Sequence, residues 1–190
     1  MAYVTTGFSK PYVALYANAG GTNTYSEGQI LARGVSVSLE LDVAEDNNFY
    51  ADNIVAESVN GIFQSGSLTL TVDGLSREAA ALIYGLPDAD TDGFVAYGDA
   101  MQIPNVGVGY VTRKMNNGIT TYWPTILPKV SFAVPSGEAA TQEDEIEFQT
   151  TELAGSIFKD DTASHNWKYE GAPCATEAEA ETVLKAFLSI

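Results

Sequence analysis

Residues 35–70 read VSVSLELDVAEDNNFYADNIVAESVNGIFQSGSLTL, and the fold turns on how they are read. Val35, Val37, Leu39, Leu41 and Val43 fall on alternate positions, with Ser36, Ser38, Glu40 and Asp42 between them. Successive strand side chains point to opposite faces, so this spacing predicts a strand with one buried apolar face and one wet face. Leu68, Leu70 and Val72 repeat the pattern against Ser67, Thr69, Thr71 and Asp73. The acid-rich stretch between them is expected to be a long loop, near 43–58, and Asn60-Gly61 is a candidate tight turn.

The same alternation recurs downstream. Val130, Phe132 and Val134 share one parity, as do Ile146 and Phe148; Leu153, Gly155 and Ile157 continue on the other, so a bulge near Thr151 is expected. Asn117-Gly118 separates the runs 106–115 and 119–126, and both residues tolerate the positive φ of a two-residue hairpin turn. Asn18 to Gly28 is rich in Gly, Asn, Ser and Thr and is expected to be a polar loop. Pro124 and Pro128 suggest an edge strand or an irregular crossing, because proline donates nothing to a ladder. Residues 135–144, PSGEAATQED, read as a third long loop.

Two helices interrupt this pattern. Ser76 is placed to cap one through Ile83, with Gly85 and Pro87 to stop it. Thr176 and Glu179 have capping-box spacing, and Ala180, Val183, Leu184 and Phe187 fall on one face of the helix that follows. The expected fold class is mainly β (α+β): packed β-sheets forming a sandwich or open barrel, with one or two flanking helices, in a single domain spanning 1–190.

Nine basic and 25 acidic residues give a net charge of −16, which argues against ordinary nucleic-acid binding. Two readings of the charge stand: solubility alone, or acids lining a passage through which DNA slides without sticking. No apolar run approaches the ~18 residues that cross a bilayer, and Met1 to Lys10 lacks a signal-peptide layout. The single cysteine, Cys174, is expected to be an inert thiol in a protein made in a reducing cytoplasm.

Catalytic chemistry finds little to stand on. His165 is the only histidine, and neither a GxSxG elbow nor a GxxxxGK[ST] loop is present, so no enzymatic activity and no cofactor are expected. Glu145 and Glu147 share a strand face, as do Glu40 and Asp42; a two-carboxylate hydrolase is one reading, and the wet side of a sheet is the other. Asp88-Ala89-Asp90-Thr91-Asp92-Gly93 resembles the front of a calcium loop, but position twelve is Asp99 where the closing glutamate belongs. Ten tyrosines, eight phenylalanines, Trp123 and Trp167 would also suit a carbohydrate-binding β-sandwich on a virion or cell surface.

The 35–70 region resembles the signature region of the major tail proteins, or tail tube proteins, of long-tailed bacteriophages. An alternating strand leads through acids into an FYADN-type motif, here Phe49-Tyr50-Ala51-Asp52-Asn53, and then into a second alternating strand. The Ser76 helix, the Ile146-Glu147-Phe148 strand, Trp167-Lys168-Tyr169 and the closing Glu- and Ala-rich helix extend the likeness. The resemblance implies a structural virion protein that self-assembles into stacked, six-membered rings forming the conduit for DNA ejection. Its implied partners are copies of itself, the tail terminator, the tape measure and baseplate or tail-tip proteins. DNA would pass through an electronegative lumen without specific binding, and assembly would take place in the host cytoplasm without membrane insertion. Phe49, Tyr50, Asp52 and Asn53 are the implied subunit-interface candidates. The 107–128 hairpin is expected at the lumen, because Gly107 and Gly109 suit tight curvature.

Overall fold

The computed structural model describes residues 2–45, 47–59, 61–99, 101–134 and 149–190. It is mainly β: β1 (Val4–Ala19), β2 (Thr22–Ile30), β3 (Gly34–Val43), β4 (Asn47–Ala51), β5 (Ile54–Val59), β6 (Phe63–Val72), α1 (Arg77–Tyr84), β7 (Val106–Asn116), β8 (Ile119–Phe132), β9 (Thr151–Phe158), β10 (Tyr169–Glu170) and α2 (Glu177–Phe187). Eight strands form one antiparallel sheet in the order β2-β1-β7-β8-β9-β6-β3, with β10 on β8; β4 and β5 pair separately. Among the described residues no helix is long and apolar enough to cross a membrane.

The alternation does what its parity predicts in the middle of the sheet. Leu68, Leu70 and Val72 of β6 are buried, as are Leu153 and Ile157 of β9 and Val130 and Phe132 of β8. They meet Val13, Val106, Val108 and Tyr110 from the other half of the sheet in one core cluster, into which α1 adds Ala79 and Ile83. Both halves of the strand order thus face a common core, and the sheet curls to bring them together. Phe8 of β1 and Gly34 of β3 lie far apart in that order, yet a Cβ at Gly34 would stand 2.1 Å from the Phe8 ring. Asn117 (φ 48°) and Gly118 (φ 78°) make the expected turn between β7 and β8.

Both caps form. The Ser76 hydroxyl accepts from Ala79 N at 3.1 Å, and Gly85 ends α1 in the left-handed region at φ 59°. A Cβ there would lie 2.0 Å from the Gln102 carbonyl oxygen. Gly85→Ala therefore combines left-handed strain with a backbone clash, and is expected to cost about 2–3 kcal/mol in urea unfolding. Thr176 and Glu179 complete the capping box of α2.

α2 lays Ala180, Leu184 and Leu188 on the outer face of β1, β7 and β8, against Tyr12, Ala14, Val111 and Ile126. Val183 does not join them; it is exposed. Gly107 and Gly109 sit beneath this helix: added Cβ atoms would meet the Tyr25 ring at 2.4 Å and Leu188 at 3.0 Å. These glycines let a helix approach a strand. That removes the reason for placing the 107–128 hairpin at a lumen, since their face of the sheet is covered.

Glu181 locks α2 to β1. Its carboxylate accepts from the Tyr12 hydroxyl and pairs with Lys185 at 2.9 Å and Lys10 at 3.4 Å. The bonds from Lys185 and Tyr12 hold this carboxyl down to about 2, against an ordinary 4.5. Because the folded value is the lower one, the stabilisation is complete above about pH 4.5 and disappears as pH falls towards 2. With screening by solvent, Glu181→Gln is expected to lose about 1–2 kcal/mol at pH 7. In urea titrations the gap from the parent protein should close in acid; a gap unchanged at pH 2 would exclude this account.

Three expected loops are corrected or left aside. Residues 18–28 are the turn and outgoing strand of the β1–β2 hairpin, reversing at Gly20-Gly21, both at positive φ. Residues 43–58 are largely the β4–β5 hairpin. Residues 135–144, with Glu145, Ile146, Glu147 and Phe148, lie outside the described residues. So does Asn60, while Gly61, at φ 71°, joins β5 to β6, which do not pair. β8 is an interior strand despite its prolines. Pro128 lies where the β7–β8 register shifts, and the Pro124 carbonyl accepts from Gly171 N where β10 takes over from β9 as neighbour.

Candidate assembly surface

β9, β6 and β3 stand side by side at one end of the sheet and contain no lysine or arginine. Register aligns their side chains in rows. Val37, Leu70 and Leu153 form one inward row, and Leu39, Leu68 and Gly155 the next. The opposite face carries Ser36, Thr71 and Glu152, then Ser38, Thr69 and Ala154, then Glu40, Ser67 and Ser156. Asp42 and Ser65 continue it, and a shallow groove runs between them and Ser156. These residues are exposed or half-buried, so the wall is a flat field of hydroxyls and carboxylates. Ser36 donates to Thr71 across it at 3.0 Å.

β3 ends the strand order. Its ladder runs to β6 alone, and its second edge has no ladder partner among the described residues. That explains the failure of the sequence expectation here. Val35, Leu41 and Val43 have core parity yet remain 55%, 46% and 51% exposed, because β3 has no ladder neighbour on its second side among the described residues. An unpaired edge with apolar side chains is a template for another strand.

From this edge the chain runs out as an arm. The β3–β6 ladder continues to Val43 opposite Phe63, and Ala44 N donates to Ile62 O. Beyond it β4 and β5 pair from Asn47 opposite Val59 to Ala51 opposite Ile54. Asp52 (φ 52°) and Asn53 (φ 61°) are the two turn residues, both left-handed, as a tight hairpin of this twist requires. The FYADN stretch is therefore the tip of a hairpin. Phe49, Tyr50 and Ile54 are exposed by nearly two thirds, and Val55 by half. An isolated two-stranded hairpin is marginal in water, and an exposed apolar cluster of this kind is a common mark of interaction surfaces in proteins generally.

The field of this region is uniformly negative: residues 34–72 hold Glu40, Asp42, Glu45, Asp46, Asp52 and Glu57 and no base. Four of the nine basic residues are spent elsewhere, Arg33 on Asp73, Lys129 on Asp161 and Lys10 with Lys185 on Glu181.

The other singled-out residues are dispersed. His165 is exposed in a turn at φ 49°, its ring nitrogen 3.3 Å from Asp160 O. Asp90 turns its carboxylate into its own loop, accepting from the Asp92 and Phe94 amides. Among the described residues no three His, Cys, Asp or Glu side chains are grouped to hold a metal ion. Trp167 stacks on Phe63 at 4.8 Å, and Trp123 meets Tyr3 edge-on and carries Lys114 on its face. Cys174 is half-buried, and burial pushes its thiol up, away from reactivity.

One polar centre escaped sequence reasoning. Asp160, 1% exposed, is a buried carboxylate without a cation partner in the described structure. It accepts from Thr162 Oγ1 (2.7 Å), Asn166 N (2.9 Å), Asn23 Nδ2 (2.9 Å) and the Tyr169 hydroxyl (2.8 Å). It ties the 160–169 turn to the β1–β2 hairpin and β10. Two adjacent aspartates in a polar run offer no local signal of this. No protein-family model matches this chain, and no curated protein matches it.

Proposed function

We propose that this chain is a tail tube subunit of a long-tailed bacteriophage, a structural protein without catalytic activity. Copies associate head to tail through the β3 edge and the arm, a heterologous contact that closes into rings or runs on as a filament. The observation that carries this reading is the conjunction of three features in one part of the molecule: a β3 edge without a ladder partner among the described residues, an exposed apolar arm, and an adjoining wall of hydroxyls and acids without a base. With β3, β6 and β9 facing inwards, Glu40, Asp42 and Glu152 would repel phosphate along a bore, and hydroxyls would wet it. That gives the net charge of −16 a use beyond solubility.

The resemblance of residues 35–70 supplies the expectation of six subunits per ring, with a terminator, tape measure and tail-tip proteins as partners in the virion. A concentration series of the purified chain, followed by light scattering and negative-stain microscopy, tests the reading. Rings or tubes with an open bore are expected. A chain that stays monomeric at every concentration, also when offered the ends of preformed tubes, would sink it.

A further inference from the structure

We propose that the arm of one copy docks on the end of the β7–β8 hairpin of another, on the patch formed by Tyr3, Lys114, Ile119 and Trp123. The inference rests on the assembly reading above and names the receptor for its arm. The arm tip needs a surface that is apolar and positively charged, because Phe49, Tyr50 and Ile54 are exposed beside Asp52 and Glu57 and no base lies within residues 34–72.

Among the described residues beyond the β3 edge and the arm, the apolar side chains more than half exposed fall in two places: Phe94, Tyr97 and Val134, and Val4 with Ile119 at the β7–β8 end. Phe94 and Tyr97 stand among Asp88, Asp90, Asp92 and Asp99, whose charge has the arm's own sign. The β7–β8 end has the opposite sign. Lys114 lies 4.1 Å from the Trp123 ring centre, and Tyr3 packs edge-on to the same ring at 5.5 Å. Trp123 donates to Thr121, which opposes Lys114 across the ladder, so these groups share one face. Among the described residues Lys114 and Lys168 divide a single acid, Glu170, at 3.2 and 3.3 Å, which leaves a positive excess there. Ile119 beside them is 68% exposed. Lys10 and Lys185 also share one acid, Glu181, but Glu177 and Glu179 stand on the same helix and cancel that excess. Charge and apolar exposure coincide at the hairpin end.

The test reads the concentration at which assembly begins. Ile119→Glu puts a carboxylate where the arm would land, at an exposed position. It is expected to raise that concentration at least about tenfold, the equivalent of one modest contact. Asp52→Lys with Glu57→Lys should do the same alone, and should restore assembly when combined with Ile119→Glu. Phe94→Glu, on the other patch, should change nothing. Urea midpoints verify that each variant folds; if Ile119→Glu does not, the arm pair carries the test alone. Assembly of the folded Ile119→Glu protein at the parent's concentration would overturn the docking site, as would failure of the lysine pair to rescue it. Both outcomes leave the assembly reading standing. A parent chain that never assembles would remove that reading, and this one with it.

Discussion

Asp160→Ala is expected to lower the free energy of unfolding by about 3–4 kcal/mol, a fall in Tm of roughly 10 °C for a chain of this size. The side chain is almost wholly buried and accepts from two backbone and three side-chain donors: the amides of Thr162 and Asn166, the hydroxyls of Thr162 and Tyr169, and the Asn23 amide group. Removing it strands those donors in a half-buried turn, and an orphaned donor there costs more than a made bond gains. Asp160→Asn keeps the shape but turns an acceptor into a donor, so a smaller loss, of about 2 kcal/mol, should follow. Burial by itself would raise this carboxyl, but the bonds from Thr162, Tyr169 and Asn23 outweigh it and hold it below its ordinary range. The stabilisation is thus present above the ordinary 3.8 and is lost as pH falls below it. Chemical denaturation of parent and variant between pH 7 and pH 2 should show curves that converge in acid. Parallel curves would mean that the charge is not what the network holds.

Assembly should respond even more strongly to the open edge. Leu41→Lys with Val43→Lys is expected to raise the concentration for ring or tube formation on the order of a hundredfold, with unfolding of the monomer changed by less than about 0.5 kcal/mol. Both side chains are about half exposed in the single chain, so lysine there disturbs little of its own core. In a strand pair with a second copy they would be covered, and each apolar side chain so buried contributes about 1.5–3 kcal/mol. Lysines on an edge are also a common natural device against edge-to-edge pairing. Sedimentation of the variant beside the parent is the measurement. Unchanged assembly would acquit the β3 edge and move the contact elsewhere.

Much of the strand pattern could be read directly because parity is local. Leu68, Leu70, Val72, Leu153 and Ile157 face the core as their spacing requires, and the interleaved serines and threonines face out. β3 shows where that reading stops. Its alternation is as regular as that of β6, but three of its five apolar residues are exposed, because parity tells which residues share a face and not whether anything covers it. The arm was missed for a related reason. An acid-rich, poorly alternating stretch reads as loop, whereas the Asp52-Asn53 turn and the ladder already begun by β3 and β6 pair it as a hairpin. Gly107 and Gly109 misled in the other direction. A strand glycine signals that something comes close, and only the packed chain shows a helix coming close from outside.

What the amino-acid order determined by itself was whatever depends on neighbours a few residues apart: strand parity, the Asn117-Gly118 turn, the Ser76 and Thr176 caps, and the sign of the charge. Dihedral preference, side-chain period and capping bonds all act over that range. The tertiary structure alone decided which strand lies at the edge, which face α2 covers, and that Asp160 gathers donors from Asn23 to Tyr169. Those outcomes depend on contacts beyond the range of a local pattern, 137 positions apart in the case of Asn23 and Asp160, whose competition the sequence spacing does not record.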